Sequence, residues 1–117
     1  MLNITGLNRF FFIRDFHDMR CKYDKVLSII HQQLNREPED GDVFIVMSKD
    51  LRLVRLFSYD QMSYSMFERR FRPEYKFMHV IYSGDERIYS INWRNVILLL
   101  ESLVVKRLII RSRTREK

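Results

Sequence analysis

The chain has 117 residues, 46% of them hydrophobic and 14% aromatic, enough for one domain that buries roughly two-thirds of its unfolded surface. Only three Gly and two Pro exclude a long flexible linker or a low-complexity segment. The net charge of +6 is uneven: residues 106–117, "KRLIIRSRTREK", hold six Lys/Arg and one Glu, which predicts a near-neutral domain over 1–105 followed by a basic tail over 106–117.

In chain order, "RFFFIR" at 9–14 predicts a short strand of aromatic and β-branched residues. Asp18 follows as an N-cap, and Tyr23, Val26, Leu27, Ile30 and Leu34 recur at helical spacing, predicting a helix from about 19 to 35. Pro38 and Gly41 in "NREPEDGD" close it. "VFIVMS" at 43–48 is apolar almost throughout and predicts an inner strand covered on both faces. Asp50 and Leu51 turn the chain into "RLVRLFSY" at 52–59, and Asp60–Met62 turns it again into "SYSMFERRF" at 63–71.

After Pro73 come "YKFMHVIYS" at 75–83 and the short "RIYS", joined by "GDE". Asn92 caps a last helix with Trp93, Val96, Ile97, Leu100, Leu103 and Val104 on its apolar side. "LVVKRLII" reads equally as strand or frayed tail. The expected fold is α+β: an antiparallel sheet of about four to five strands, running as a meander and covered by two helices.

The longest strictly apolar runs, "FFFI" and "VILLL", fall far short of the ~20 residues that span a bilayer. "MLNITGLNRF" lacks the apolar region of a signal peptide, and a single Cys makes no internal disulfide. A cytoplasmic protein without a membrane partner is expected.

"FHDMRCKYDK" at 16–25 gathers the side chains of nucleophilic and metal sites. His17 and Cys21 share a helical spacing, yet zinc needs four ligands and only His31 and His79 remain; a buried thiol beside a surface imidazole is the simpler reading. Cations around Cys21 favour a thiolate, but no oxyanion hole is legible. Asp15, Asp18, Asp24, Asp60, Glu68, Asp85 and Glu86 could in principle supply a two-metal nuclease; most sit where caps and turn formers are the default. No catalytic residue, metal or cofactor is expected.

Arg52, Arg55, Arg69, Arg70, Arg72 and Lys76 lie on neighbouring strands among Tyr59, Tyr64, Phe67, Phe71 and Tyr75. Basic and aromatic side chains so interleaved suit a nucleic-acid backbone, and equally the solvent face of a sheet. Lys106, Arg107, Arg111, Arg113 and Arg115 add a one-signed tail.

Asp18, Met19 and Arg20 resemble the "D-M-R-K" signature of the accessory protein encoded by the second open reading frame of insertion sequences of the sixty-six family. Cys21 and Lys22 replace its Lys-Gly, and Asp24 stands where the family has an aspartate. "EPEDGDVFIVMS" is similar to its proline, glycine and "V-F-V-F" strand through Pro38, Gly41, Val43 and Phe44. "RLVRLFSYD" resembles "K-I-L-Y-W-D" at Arg55, Leu56 and Asp60, with Gln61 replacing the next glycine. "RRFRPEYKF" is a looser likeness at Arg70, Lys76 and Phe77, and "INWRNVILLLES" resembles the closing motif at Asn92, Leu99, Leu100 and Glu101, with Ser102 in place of glycine.

The resemblance covers roughly residues 9–105, and it implies a bacterial protein required for transposition, with strand chemistry left to a separate, larger transposase. It carries over neither fold nor catalytic residues. The expected function is therefore a non-catalytic accessory factor that contacts DNA ends, the transposase, or both, through Arg20, the basic strands and the tail. A small metal-dependent nuclease is the alternative, and the oligomeric state stays open.

Overall fold

A computed structural model describes residues 8–17, 23–60, 62–77, 79–101 and 107–111. The elements are β1 (Arg9–Ile13), α1 (Tyr23–Leu34), β2 (Asp42–Met47), β3 (Leu53–Tyr59), β4 (Tyr64–Arg70), β5 (His79–Ser83), β6 (Ile88–Ile91), α2 (Trp93–Glu101) and β7 (Arg107–Arg111). The expected N-cap Asp18 and the first turn of the expected helix lie outside the described residues.

Five strands form one mixed, mostly antiparallel sheet in the order β4-β3-β2-β1-β6, and β5 with β7 forms a separate pair. α1 connects β1 to β2, which run parallel with Arg9 opposite Asp42 and Phe12 opposite Ile45. Parallel neighbours need such a crossover, and α1 supplies it; the expected all-antiparallel pairing therefore fails at this one pair of the sheet. Asn35 ends α1 in the left-handed conformation (φ 56°), its N–H donating to His31 C=O at 3.1 Å.

The alternation of strand side chains builds two cores. Ile13, Phe44, Val46, Phe57 and Ile88 face Tyr23, Val26, Ile29 and Ile30 of α1. Phe10, Phe12, Val43, Ile45, Met47, Val54, Leu56, Tyr89 and Ile91 face the other way, toward Val96, Leu99 and Leu100 of α2. Because β2 serves both cores, its residues 43–47 are all buried, as its apolar run predicts. Asn92 caps α2: its Oδ1 accepts the Asn95 N–H at 2.8 Å.

The continuous meander is corrected. It holds for β2, β3 and β4 only, where antiparallel registers run from Val43–Ser58 to Leu53–Arg70. After β4 the chain leaves the sheet instead of pairing back along it. Phe71 N–H donates to Arg52 C=O at 2.8 Å and Phe77 N–H to Leu51 C=O at 2.7 Å. The two rings stack with centroids 3.9 Å apart and are buried in the α2-side core. Burying both rings takes the chain across that face, where Val80 and Tyr82 of β5 pack against the same core. β6 then joins the far edge of the sheet, antiparallel to β1, with Phe10 opposite Ile91. β7, inside the segment read as a basic tail, pairs parallel with β5 from His79–Arg107 to Ser83–Arg111.

Candidate nucleic-acid and partner interface

The anticipated basic patch is divided by strand geometry. Paired residues share a face, so Arg55 and Glu68, Phe57 and Met66, and Tyr59 and Tyr64 point toward the α1 side. Val54 with Arg69 and Leu56 with Phe67 point toward the α2 side. Adjacent Arg69 and Arg70 therefore leave opposite faces.

Arg55 is already engaged: its Nε donates to Glu68 Oε1 at 2.8 Å. Arg69 lies over the Phe71 ring at 5.5 Å. Arg52 spends its backbone on the turn, N–H to Asp50 Oδ1 at 3.1 Å, while its buried Nε has no partner among the described residues. Tyr64 stacks on Tyr23 with centroids 4.2 Å apart.

Arg70, Arg72 and Lys76 remain exposed, without a carboxylate within ion-pair distance among the described residues. A tight turn presents them: Tyr75 N–H donates to Arg72 C=O at 2.9 Å across Pro73 and Glu74, and Tyr75 keeps 44% of its surface exposed. The bonds from Phe71 and Phe77 to residues 52 and 51 fix this turn at the end of the sheet where β3 begins. Two or three cations beside an exposed phenol ring suit a phosphate backbone with a neighbouring base.

The other expected residues fall elsewhere. Asp24 sits in the first turn of α1, where a carboxylate complements the positive helix end. Asp60 closes the β3–β4 turn, its Oδ1 accepting the N–H groups of Met62 at 2.9 Å and Ser63 at 2.8 Å; those bonds hold its carboxyl below the usual range. Asp50 does the same for the β2–β3 turn through the Ser48 hydroxyl and the Arg52 N–H, with the same effect. Arg107 and Arg111 are the two ends of β7. Asp18, Met19, Arg20, Cys21, Lys106, Arg113 and Arg115 lie outside the described residues.

Of the carboxylates weighed for metal chemistry, Asp24 stands at a helix start, Asp60 closes a turn, and Asp15 and Glu68 pair with Arg14 and Arg55. Among the described residues no three His, Cys, Asp or Glu side chains gather to hold a metal ion. The His31 ring Nε2 lies 2.7 Å from Glu37 Oε2.

Two features were not anticipated. The first is Asp42, fully buried, which accepts Arg9 Nε at 2.7 Å, Arg36 Nη1 at 2.9 Å and the Glu39 N–H at 2.9 Å. Gly41 beside it needs its positive φ of 90° to bring its C=O to the Arg9 N–H at 2.8 Å. The second is a cleft of about 340 Å³ at the carboxyl ends of the parallel strands β1 and β2. Asp15, His17, Ser48 and Lys49 rim it, over Phe12, Met47 and Tyr82. His17 Nδ1 lies 2.9 Å from Met47 C=O; a carbonyl only accepts, so that nitrogen carries the proton. His17, which opens the sequence run "HDMR", is the sequence signal that could have pointed to it.

Fold and surface together define a small α+β protein with Arg70, Arg72 and Lys76 exposed at one end of its sheet. The family model described as IS66 Orf2 like protein matches residues 8–109, and the chain belongs to that family. Membership supports a role in transposition of IS66-type insertion sequences. No curated protein and no solved structure matches the chain. Among the described residues no helix is long and apolar enough to cross a membrane.

Proposed function

We propose that the protein is a non-catalytic accessory factor of its element, contacting DNA, and through it or beside it the larger transposase. The observation that carries this is Arg70, which ends β4, together with the following turn that bears Arg72, Tyr75 and Lys76: exposed cations without carboxylate partners among the described residues, beside a segment pinned to the sheet by two backbone hydrogen bonds. Free guanidinium and ammonium groups release counterions on meeting phosphate, whereas Arg55, already paired with Glu68, does not. Arg20 enters on the family motif alone, and the basic residues after Val105 add long-range attraction.

The test is binding of the full chain to the terminal repeats of the element over a range of salt. Replacing Arg70, Arg72 and Lys76 together by Ala should weaken binding and flatten the log–log salt slope by roughly 2 to 3, one phosphate contact contributing about 0.9. Arg55→Ala should leave the slope nearly unchanged. A triple variant with wild-type affinity and slope removes DNA from the proposal. Specific magnesium- or manganese-dependent cleavage that disappears in Asp18→Asn or Asp60→Asn establishes the nuclease alternative instead.

A further inference from the structure

β4 is an edge strand, covered by no element among the described residues. It is exposed at every residue from Tyr64 to Arg70, and Tyr64, Met66 and Phe67 keep 54%, 48% and 38% of their surface in solvent. Edges are protected by shortness, bulges, proline or charge; β4 pairs with β3 residue for residue over its whole length, and its charges, Glu68, Arg69 and Arg70, lie only at its second end. Which of its backbone groups are free follows from its two ends. Ser63 C=O accepts the Asp60 N–H, and Phe71 N–H donates to Arg52 C=O, so odd-numbered residues turn their backbone toward β3. By the two-residue period, the N–H and C=O groups of Tyr64, Met66, Glu68 and Arg70 point outward.

We propose that this edge joins a second copy of the chain, antiparallel, about a two-fold axis through Phe67. Tyr64 then faces Arg70 of the second copy, Ser65 faces Arg69, Met66 faces Glu68, and Phe67 faces Phe67. The outward-pointing residues meet one another in the positions that exchange two backbone hydrogen bonds, and Ser65, Phe67 and Arg69 take the intervening positions. Every residue of β4 is paired and no like charges stand opposite.

Neighbouring registers lose this. Moving the axis to Glu68 sets two carboxylates against each other, and moving it to Met66 leaves Arg69 and Arg70 beyond the end of the second strand. Two Phe67 rings at the axis add an apolar contact. The interface is isologous and closes on itself, giving a continuous sheet across the dimer.

Sedimentation of the full chain over a concentration series should show a monomer–dimer equilibrium. Met66→Pro removes an outward N–H and no bond to β3, so it should be monomeric with an unchanged circular dichroism spectrum. In a Cys21→Ser background, Phe67→Cys should cross-link under mild oxidation, because opposed residues without mutual hydrogen bonds bring their Cα atoms within about 4.5 Å, inside disulfide range. Ser65→Cys, whose mate lies well away along the strand, should not. A chain monomeric at every concentration, a folded Met66→Pro dimer, or equal cross-linking at 65 and 67 overturns the proposal. Should Met66→Pro not fold, the two cysteine variants decide.

Discussion

Arg9 and Asp42 are opposite one another in the parallel β1–β2 register and also joined through their side chains, Nε to Oδ1 at 2.7 Å. Asp42 is fully buried, whereas Arg9 and Arg36, its two cationic partners, keep 48% and 32% of their side-chain surface in solvent. That asymmetry decides the order of mutational cost. Asp42→Asn removes the buried charge and lets both guanidinium groups relax into water, costing about 1.5–3 kcal/mol. The double change Arg9→Met with Arg36→Met leaves the carboxylate buried and unpaired, costing roughly 3–5 kcal/mol. Urea unfolding of the two variants should show the double arginine variant as the less stable; the reverse order refutes the account.

The same pair shows where the sequence stops being informative. The strands, the two helices and the apolar character of β2 follow from local periodicity, so "VFIVM" is legible without its neighbours. Asp42 is not: within "EPEDGD" it looks like one more solvated acid, and its burial depends on an arginine 33 residues away. The departure of β5 from the sheet was hidden for a similar reason, since burial of Phe71 and Phe77 under the α2-side core leaves no mark on their own neighbourhood. In the basic patch, residue types were legible but not pairing: Arg55 and Arg70 read alike, and only the β3–β4 register gives Glu68 to one of them.

Asn92 should behave as a simple N-cap. Its Oδ1 satisfies the Asn95 N–H at 2.8 Å, and Ala offers no acceptor there. Asn92→Ala is expected to cost about 1 kcal/mol, and Asn92→Asp to cost nothing or to stabilise slightly, because a carboxylate also complements the helix dipole. Thermal unfolding of the two variants measures this; equal losses would mean that the cap bond contributes nothing.

Asp60, one of the family-motif residues, has a local duty in the β3–β4 turn. Its carboxyl is held below the ordinary value by the Met62 and Ser63 N–H groups, so the ionised form is the one the fold favours. The protection it gives is present above the unfolded-state value near 3.8 and is lost as pH falls through the lower folded value. Amide exchange at Met62 and Ser63 should therefore accelerate, after correction for intrinsic rates, on acidification through that window. Asp60→Asn keeps an acceptor and should abolish the pH dependence while retaining part of the protection; Asp60→Ala should lose both.

Two tyrosines carry the opposite dependence at alkaline pH. Burial pushes Tyr23 from 10.0 up to about 12, helped by Tyr59 and by the Glu37 and Asp42 carboxylates. Burial does the same to Tyr82, with Asp15 adding to the rise and Arg14, 4.6 Å over the ring, opposing it. In both cases the fold prefers the neutral phenol, so this contribution to stability is complete below pH 10 and is lost as pH rises from 10 towards about 12. Absorbance near the tyrosinate band should show Tyr23 and Tyr82 ionising later in the folded chain than in urea. Tyr23 has a further consequence, because its hydroxyl is buried without a hydrogen-bond partner among the described residues. Leaving such a group unsatisfied costs about 1–3 kcal/mol, so Tyr23→Phe should raise stability at neutral pH and remove one late-ionising group, while its ring still stacks on Tyr64. A Tyr23→Phe protein that is less stable, with both late ionisations intact, would show that the hydroxyl is satisfied and that the burial argument for this residue is wrong.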